Sequence, residues 1–444
     1  MKLPEYVKKA IDILISEGFQ AYAVGGCVRD GLLGITPGDY DVCTNALPEQ
    51  IKSSFASYRV IPTGEKHGTI TVIINEPIEI TTYRTEGGYS DSRHPDSVDF
   101  VSDVKEDLER RDFTVNAMAY NPQEGIVDPF GGRQDLEKGR IRCVGDPDKR
   151  FSEDALRIMR ALRFASVYGF EIDPDTAGSL HKNAHLLSRV SAERLFSEMT
   201  KLLMGEHAHK VLAEYYDVIG VFVPEILPTV GFDQRNPHHH LDVWGHTLEV
   251  IRRSPRERIM RWSALLHDLG KPESYVFGSD NKGHFPRHQI YGAKIASAVL
   301  KRLKCDNATR DAVVSLIAEH DLYFDGDERD MRYVIRRLGK EVTARALEFR
   351  IYDGASQAPD TVEEKERSAR RAIEIYDKVI SSGLCCTVAQ LDINGNDLKD
   401  LGVRPGRQIG NILELLLDAV IDGSCPNERQ GLIKYAKENL LKAD

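Results

Sequence analysis

The first 150 residues alternate short apolar runs with polar turns, a pattern that predicts strands joined by tight connections. Ala21–Val24 is an apolar run that ends at Gly25 and Gly26, and residues 78–84 alternate apolar and polar side chains, so both predict β-strands. The turn formers at 84–95 predict a mobile loop directly after the second strand. We therefore expect a strand, a turn, a helix and a further strand near the start of the chain.

After about residue 150 the apolar residues return at helical spacing. Residues 151–165 predict one continuous helix, and 265–268 predict a helix that Gly270 and Pro272 terminate. The segments 363–379 and 409–421 predict two further helices, and 392–410 a turn-helix-turn-helix unit between them. The second part of the chain should therefore be all α.

Composition limits the class of protein. With 444 residues, 41% hydrophobic and 29% charged, the chain predicts about three soluble domains. No apolar run reaches the length of a membrane span, and the N-terminus lacks a signal-peptide pattern. Seven cysteines without a Cys-x-x-Cys pair predict reduced thiols, so we expect a cytoplasmic protein without a membrane partner.

The net charge of −10 is unusual for a protein that binds nucleic acid, because phosphates favour basic surfaces. Two groups of arginines predict local basic surfaces on an acidic body. The first group is Arg150, Arg157, Arg160 and Arg163, and the second is Arg332, Arg336 and Arg337.

The strand and turn at 21–26 carry the first candidate chemistry. Gly25 and Gly26 let backbone N–H groups approach a phosphate, and Arg29 can add a charged fork. If residues 39–41 form a strand, Asp39 and Asp41 project from one face and can share Mg²⁺, with Glu79 as a third carboxylate. Taken singly, these features also suit a plain turn, a solvated strand end and an exposed glutamate.

The predicted helix at 151–165 carries a second candidate. Asp154 and Arg157 would lie one turn apart on one face, which presents an acceptor beside a donor fork. Cytosine and adenine both place an amino donor beside a ring-nitrogen acceptor, so this pair suits C and A and disfavours U and G. The alternative is an ordinary ion pair on the surface of the helix.

A third candidate is a group of histidines and aspartates in the middle of the chain. His246, His267, Asp268 and Asp353 predict a site for Mn, Fe, Co, Ni or Mg, with His288 and His320 as further candidates. Fourteen histidines make some accidental, and the run 238–240 also suits a solvated segment.

Four longer strings carry a family resemblance. RRDFTVNAMA at 110–119, DPFGG at 128–132 followed by Asp135 and Leu136, and RFSEDALRIMRALRFA at 150–165 resemble signatures of the class II branch of polymerase-β-type nucleotidyltransferases. That branch contains the tRNA CCA-adding enzymes and bacterial poly(A) polymerases. LLHDLGKP at 265–272 resembles the HD family of metal-dependent phosphohydrolases.

The resemblance implies a multidomain α+β protein. A polymerase-β-like nucleotidyltransferase head with a mixed sheet and helices would occupy 1–145, followed by all-α domains. These would be a neck for nucleotide selection and RNA binding at 146–235, an HD domain at 236–360 and a tRNA-binding tail at 361–444.

The resemblance also implies template-independent addition of CCA to tRNA 3′ ends from CTP and ATP with two Mg²⁺ ions. The implied catalytic residues are Asp39, Asp41 and Glu79. The implied nucleotide-binding residues are Gly25, Gly26, Arg29, Arg111, Asp154, Arg157, Arg160 and Arg163. The loop at 84–95 would permit addition of the final A.

Several alternatives stay open. An A-adding enzyme and a poly(A) polymerase share the same head signatures, and the HD resemblance implies phosphatase and 2′,3′-cyclic phosphodiesterase activity on RNA ends. A hydrolase whose head only senses nucleotides, or a non-catalytic RNA-binding protein, would have no use for Asp39 and Asp41. The sequence leaves the oligomeric state and the metal of the HD site open.

Overall fold

The computed structural model describes residues 1–87, 97–237 and 239–441. The chain forms two compact units: the first unit contains 1–227 and 302–304, and the second contains 228–301 and 305–444.

The first unit is built on a mixed sheet. Its strands are β1 Ala21–Val24, β2 Asp41–Thr44, β3 Arg59–Gly64, β4 Thr69–Ile73, β5 Pro77–Thr82, β6 Arg84–Gly87, β7 Ser97–Phe100, β8 Ala119–Asn121, β9 Gly125–Val127, β10 Arg140–Ile141 and β11 Glu171–Ile172. Seven strands form one sheet in the order β3-β4-β5-β2-β1-β8-β9. Within it β2 and β5 run parallel, and the other neighbours run antiparallel. All four residues of β1 are buried, as the apolar run predicts.

Helices cover this sheet and continue beyond it to residue 220. They are α1 Glu5–Ser16, α2 Gly26–Leu32, α3 Pro48–Ser54, α4 Val104–Glu109, α5 Gly132–Glu137, α6 Pro147–Glu153, α7 Leu156–Tyr168, α8 Pro174–Asn183, α9 Ala192–Leu203, α10 Ala208–Glu214 and α11 Tyr216–Gly220. The apolar faces of α1 and α9 are buried, which fixes these helices by the hydrophobic effect.

The second unit is helical apart from one short hairpin, β12 Val276–Phe277 and β13 Gly283–His284. Its helices are α12 Val243–Arg253, α13 Arg258–Leu266, α14 Lys271–Ser274, α15 His288–Arg302, α16 Asn307–Glu319, α17 Glu328–Leu338, α18 Lys340–Ala355, α19 Pro359–Ser381, α20 Gly395–Asp400, α21 Arg407–Ile421 and α22 Arg429–Tyr435. The turn-helix-turn-helix prediction for 392–410 corresponds to α20 and the start of α21. The α+β head followed by helical domains is thus confirmed.

Three local predictions are wrong. Residues 84–87 form β6, which pairs with β7, so the loop is shorter than 84–95, and its positions 88–95 lie outside the described residues. The helix predicted at 265–268 already ends at Leu266, and Pro272 is the second residue of α14 instead of ending a helix. The helix predicted at 151–165 is two helices, because the backbone of Asp154 is extended (φ −139°, ψ 103°).

The second arginine group does not form a basic surface. Arg336 pairs with Glu414 and Asp418, and Arg337 pairs with Glu319. Arg332 is buried and donates to backbone carbonyl groups, among them those of Cys385 and Ile421. Because two of these arginines are paired with carboxylates and the third is buried against carbonyl groups, the prediction of a second basic surface is wrong.

All seven cysteines are buried free thiols. None of the helices in the described ranges combines the length and apolar character that a bilayer crossing requires.

Candidate functional site

The pairing of three strands brings the first candidate residues to one edge of the sheet. Val24 of β1 lies opposite Asp41 of β2, and Asp41 lies opposite Glu79 of β5. Gly25 follows Val24 directly, so the glycine turn reaches the same edge. Asp39 precedes β2 instead of lying within it, which corrects the expected strand geometry.

The Asp41 carboxylate lies in a negative environment. Loss of hydration and the charges of Asp39 and Glu79 raise the pKa of Asp41 to about 6, against an opposing effect of Arg111. A group of carboxylates that repel one another is the donor set a hard divalent cation requires. These three residues are thus of the ligand type that suits Mg²⁺, but among the described residues they do not form a group whose ligand atoms lie within 4.8 Å of one another.

Arg111 packs against the glycine turn. Gly25 has a φ of +78°, and a Cβ at this position would lie 2.8 Å from Nη1 of Arg111. Glycine thus provides both the left-handed backbone and the space for the guanidinium group. Arg111 also pairs with the buried Asp107 at 3.4 Å, which holds its side chain over the turn.

The glycine turn and the aspartates open into a cleft of about 540 Å³ in the first unit. Its charged lining is mainly basic, since arginines outnumber aspartates. The arginines are Arg29, Arg110, Arg111, Arg157, Arg160, Arg163 and Arg194, and the aspartates are Asp39, Asp41, Asp112 and Asp154. The cleft therefore combines an acidic edge with a cationic wall. All the predicted nucleotide-binding residues line it, whereas Glu79 is not part of the lining.

Arg29 is held rigidly in the wall of the cleft. Its guanidinium donates to Asn116 Oδ1 at 2.5 Å and pairs with Asp30 at 2.8 Å. The group also lies 4.8 Å from the ring centroid of Tyr168 and 5.0 Å from that of Phe164. Cation–π contacts of this kind orient the guanidinium before any ligand arrives.

Asp112 connects two of the signature strings. Its Oδ1 accepts from Asn116 Nδ2 at 3.0 Å, and its Oδ2 accepts from Arg160 Nε at 2.7 Å. Burial alone would raise its pKa, but Arg160 and Asn116 hold the pKa of Asp112 below its ordinary range. Asp112 thereby fixes the position of Arg160 on the cleft wall.

Asp154 and Arg157 are arranged differently from the prediction. Asp154 lies between α6 and α7, where its Oδ1 accepts from the Leu156 N–H at 3.0 Å and its Oδ2 accepts from Arg194 at 2.7 Å. Arg157 donates to Glu153 Oε2 at 2.6 Å and to the Arg110 carbonyl at 3.1 Å. Both residues line the cleft. Asp154, however, does not lie one turn before Arg157 within a single helix, as predicted, but at the break between α6 and α7.

The remaining arginines of the first group also have carboxylate partners. Arg163 pairs with the buried Glu198 at 2.9 Å, and Arg150 pairs with Glu153 at 3.0 Å. The basic row is therefore a set of ion pairs in which each acidic partner orients a guanidinium.

The DPFGG string at 128–132 packs against the RRDFTVNAMA string at 110–119. Gly132 packs so closely that a Cβ would lie 2.2 Å from the carbonyl oxygen of Thr114. The Thr114 hydroxyl donates to Asp135 Oδ2 at 2.7 Å. Asp128 accepts from the Gly132 N–H at 2.7 Å. These contacts fix the position of Thr114 within the segment 110–116.

The middle of the chain forms a second site, within the second unit. His246 lies on α12, His267 and Asp268 follow α13, and Asp353 lies on α18. His288 begins α15, and His320 follows α16. Asp268, His288, His320 and Asp353 line a cleft of about 370 Å³. His246 and His267 are not part of this lining but contact the carboxylates of Asp268 and Asp353, and Asp268 belongs to both groups of three potential ligands.

Backbone carbonyls orient the four imidazoles. Nδ1 of His246 contacts the Ser356 carbonyl at 3.2 Å, and Nδ1 of His267 contacts that of Ala264 at 2.9 Å. Nδ1 of His288 and of His320 make the same kind of contact with Phe285 and Ile317. A carbonyl only accepts, so each Nδ1 carries a proton, and each Nε2 is left to donate a second proton to a carboxylate or, without that proton, to bind a metal ion.

The carboxylates at this site are ionised. Burial would raise the pKa of Asp353, but the hydrogen bond from His246 and its charge hold the pKa below the ordinary range. Asp268 behaves in the same way beside His267 and Lys271. Imidazole Nε2 atoms that face ionised carboxylates fit a divalent metal ion, which would take the place of the Nε2 protons.

Sequence reasoning missed several lining residues. Asn116 lies within the RRDFTVNAMA string but was not singled out, and tertiary packing brings Tyr168 and Arg194 to the first cleft. In the second cleft His239 lies beside His246, and burial lowers the pKa of His239 to about 3, so it is not a solvated residue. Asp321 was also missed, although it repeats the His-Asp pair after His320.

Three family profiles match the chain. The profile described as poly A polymerase head domain matches 21–142, and one for an RNA and SrmB-binding site of polymerase A matches 169–226. A profile for tRNA nucleotidyltransferase domain 2 matches 289–436.

Curated relatives and solved structures match along nearly the whole chain. A CCA-adding enzyme of Limosilactobacillus fermentum is 34% identical over 96% of this chain and 94% of its own length. One from Geobacillus stearothermophilus is 35% identical over 96% of this chain and 95% of its own. The crystal structure of the Bacillus stearothermophilus CCA-adding enzyme in complex with CTP superposes with a TM-score of 0.71, at 31% identity, covering 99% of this chain and 98% of that one. The chain therefore belongs to the family of CCA-adding enzymes, with a head of the poly(A) polymerase type.

Proposed function

We propose that this protein adds C, C and A to the 3′ ends of tRNA, with CTP and ATP as substrates. The observation that carries the proposal is the first cleft, in which a carboxylate edge faces a wall of arginines. Similarity to CCA-adding enzymes along nearly the full length supports it. The reaction is the attack of the RNA 3′-hydroxyl on the α-phosphate, with release of pyrophosphate.

Asp39, Asp41 and Glu79 are the residues that would hold Mg²⁺. When bound, Mg²⁺ neutralises phosphate charge and lowers the pKa of the attacking hydroxyl. The chain contributes position and charge, because phosphoryl transfer requires little covalent chemistry of the protein.

The triphosphate would bind along the arginine wall. Arg29 and Arg111 flank the glycine turn, so their guanidinium groups are placed for phosphate oxygens near Gly25 and Gly26. Arg160 and Arg163 extend the wall along α7 and would contact the triphosphate or the primer phosphates. Their partners Asp112 and Glu198 orient them, and a phosphate can share the remaining N–H groups.

Base selection would depend on Asp154 and Arg157. Asp154 presents a carboxylate acceptor and Arg157 a guanidinium donor to the cleft, the two functions that cytosine and adenine require. Arg194 holds the Asp154 carboxylate at 2.7 Å, and Glu153 holds Arg157 at 2.6 Å, so both groups are oriented before the base binds.

The proposal is tested with purified protein, Mg²⁺, labelled CTP or ATP, and three tRNA transcripts that end before CCA, after C and after CC. Ordered addition of two C residues and one A, followed by termination, is the expected result. Addition of A to the CC-ended transcript alone would identify an A-adding enzyme, and long A tails a poly(A) polymerase. Absence of incorporation would contradict the proposal.

We propose a metal-dependent phosphohydrolase as a second function, located at the second cleft. The specific observation is that the Nε2 atoms of four imidazoles face the carboxylates of Asp268 and Asp353. His246, His267, Asp268 and Asp353 would hold a divalent ion, either Mg²⁺ or a transition metal. When bound, such an ion lowers the pKa of a water molecule and supplies a nucleophile at neutral pH.

This second function is tested with RNA that ends in a 3′-phosphate or a 2′,3′-cyclic phosphate, in the presence of Mg²⁺, Mn²⁺, Co²⁺ or Ni²⁺. Release of phosphate or opening of the cyclic ester is expected, and both should be lost in His246→Gln. Turnover that persists unchanged in His246→Gln would assign the activity elsewhere.

The domain assignments belong to the same proposal. The head would comprise 1–145, a nucleotide-selecting neck 146–235, the HD domain 236–360 and a tRNA-binding tail 361–444. A cytoplasmic location is also proposed, since seven buried free thiols suit a reducing compartment.

A further inference from the structure

We infer that Arg287 and Lys365 bind a substrate phosphate in the second cleft, and that this cleft prefers a terminal phosphate monoester to a 2′,3′-cyclic phosphodiester. The inference rests on the phosphohydrolase function proposed above and deepens it. It names the substrate class and two side chains outside the group of histidines and aspartates.

Arg287 is an exposed cation in the cleft lining, directly before His288. It makes no ion pair with a carboxylate of the described residues. The arginines of the first cleft differ in this respect, since Arg160 and Arg163 are held by Asp112 and Glu198. The guanidinium fork of Arg287 is therefore available to an anionic ligand.

The backbone of Arg287 is strained. Its φ of +59° lies in the left-handed region, which residues with a Cβ rarely adopt. The Arg287 carbonyl accepts from the Ile290 N–H at 2.9 Å, so this strained residue begins α15. Strain of this kind is typical of binding and active sites. Glycine would adopt the same backbone at lower cost, so the fold alone does not require arginine here.

Lys365 reaches the same cleft from α19. A Cβ on Gly354 would lie 3.2 Å from the Cβ of Lys365, so the glycine lets α19 pack closely against α18 beside Asp353. Lys365 Nζ donates to Gln357 Oε1, and Gln357 Nε2 donates to Asp353 Oδ2 at 3.1 Å. These contacts fix the ammonium group near a candidate metal ligand and leave its other N–H groups for a phosphate.

The charged side chains of the lining are three cations and three carboxylates: Lys271, Arg287, Lys365, Asp268, Asp321 and Asp353. With neutral imidazoles these charges balance, so one divalent ion leaves an excess of positive charge. A phosphate monoester carries about two negative charges at neutral pH, whereas a cyclic diester carries one. Charge balance therefore favours the monoester.

The Gln289 amide favours the same class of substrate. Its Oε1 is buried in the cleft lining and accepts no hydrogen bond within the described ranges. A buried acceptor without a donor is costly. The free hydroxyl beside a ribose 3′-phosphate is such a donor, and a 2′,3′-cyclic phosphate lacks it.

The first test is binding of a probe that resists hydrolysis, 3′-deoxy-3′-(phosphonomethyl)uridine, to the full chain with Mn²⁺. A carbon–phosphorus bond replaces the ester in this probe and keeps the doubly charged head group. Uridine is chosen because the first cleft is proposed to select C and A. Isothermal titration calorimetry should show that Arg287→Gln and Lys365→Gln each weaken binding by about tenfold or more.

Arg367→Gln is the matched control, because Arg367 is an exposed arginine on α19 that pairs with Glu363 and lies outside the cleft lining. It removes the same charge from the same helix and should bind the probe as the parent does. Equal affinities in Arg287→Gln, Lys365→Gln and Arg367→Gln would overturn the inference.

Arg287→Gly separates binding from folding. Glycine adopts a φ of +59° without strain, so this variant should unfold at about the temperature of the parent and still bind the probe about tenfold or more weakly. Parental affinity in this folded variant would remove Arg287 from the phosphate site.

Hydrolysis of uridine 3′-monophosphate and of uridine 2′,3′-cyclic monophosphate is measured on the same samples. A higher kcat/KM for the monoester is expected, and both glutamine variants should reduce this preference. Probe binding with the expected variant effects but without hydrolysis would retain the phosphate site and overturn the proposed phosphohydrolase. Hydrolysis that prefers the cyclic diester, or that neither glutamine variant alters, would retain the phosphohydrolase and overturn this inference.

Discussion

At the residue scale, the charge on Asp41 works against folding. Its pKa of about 6 in the folded protein lies above the value of an ordinary aspartate, because hydration is lost and Asp39 and Glu79 lie nearby. Folding is therefore favoured by protonation, and this advantage is lost as the pH rises through about 6. At neutral pH the ionised Asp41 carboxylate therefore lowers the free energy of unfolding of the ion-free protein.

We therefore predict that Asp41→Asn stabilises the ion-free protein while abolishing nucleotide addition. The gain in the free energy of unfolding at pH 7.5 should be about 1 kcal/mol, a value reduced for solvent screening, and should shrink toward pH 5. Denaturant unfolding at the two pH values measures it. Mg²⁺ should stabilise the wild type and not the variant. A variant that is less stable at pH 7.5 would contradict this electrostatic account.

Gly25 provides a second prediction at this scale. Gly25→Ala forces an unfavourable φ of +78° and places a Cβ 2.8 Å from Arg111 Nη1. We expect a loss of about 1–2 kcal/mol in stability from the backbone and a fall in kcat/KM because Arg111 is displaced. Steady-state addition of C to a tRNA transcript measures the second effect.

Gly38→Ala is the control for this change, since a Cβ there meets open space. It should leave both quantities near wild-type values. Equal activity in the two variants would show that the position of Arg111 is unimportant.

At the element scale, the break between α6 and α7 determines what the cleft presents. Asp154 accepts from the Leu156 N–H, as a helix N-cap does, and directs its second oxygen to Arg194. A continuous helix would have satisfied the backbone and left Asp154 on a side face. The break therefore gives one carboxylate both a backbone contact at Leu156 and an ion pair with Arg194.

Two substitutions at Asp154 should separate these contacts. Asp154→Asn keeps an oxygen for the Leu156 N–H, whereas Asp154→Ala removes it, so only the alanine variant should lose about 1 kcal/mol of stability. Both should admit UTP or GTP, with C/A preference reduced by about tenfold or more. Competition between labelled nucleotides measures the preference. Unchanged selectivity in both variants would remove Asp154 from base recognition.

Short-range pattern predicts some elements here and fails at others for a physical reason. Ala21–Val24 is buried on both faces, so its apolar run identifies β1 directly. The apolar spacing of 151–165 continues through Asp154, and it conceals a break that depends on the Leu156 N–H and Arg194. The spacing of apolar residues indicates which face of a helix packs against the core. It does not indicate where a capping side chain ends one helix and begins the next.

The same limit applies to the sites. His246, His267, Asp268 and Asp353 were recognisable by residue type and resemblance, and the fold places them together. Arg194, on α9, and His239 reach their clefts from segments that carry no signature string. Their positions follow from tertiary packing, which no local signal in the sequence reports.

At the scale of the whole molecule, the two proposed sites lie in two separate compact units. The residues of the first cleft all belong to the first unit, and the residues of the histidine cluster all belong to the second. Each site therefore has its own supporting core.

We predict that the two activities can be removed separately in the full chain. Asp41→Asn should abolish nucleotide addition and leave hydrolysis of RNA 3′-phosphates within about twofold, and His246→Gln should do the reverse, since the two residues belong to separate compact units. Both reactions are assayed on the same tRNA transcripts. Loss of both activities in either variant would show that the sites are coupled.

The buried cysteines can report local opening of the structure. Cys27, Cys43 and Cys143 lie in the first unit, and Cys305, Cys385, Cys386 and Cys425 lie in the second. A thiol reagent in native buffer modifies a sulfur only when its surroundings open, so the rate at each cysteine measures a local opening equilibrium. Peptide-resolved labelling would thus measure the opening of each unit separately. A ligand that lowers the modification rate of the cysteines in only one unit would show that it stabilises that unit.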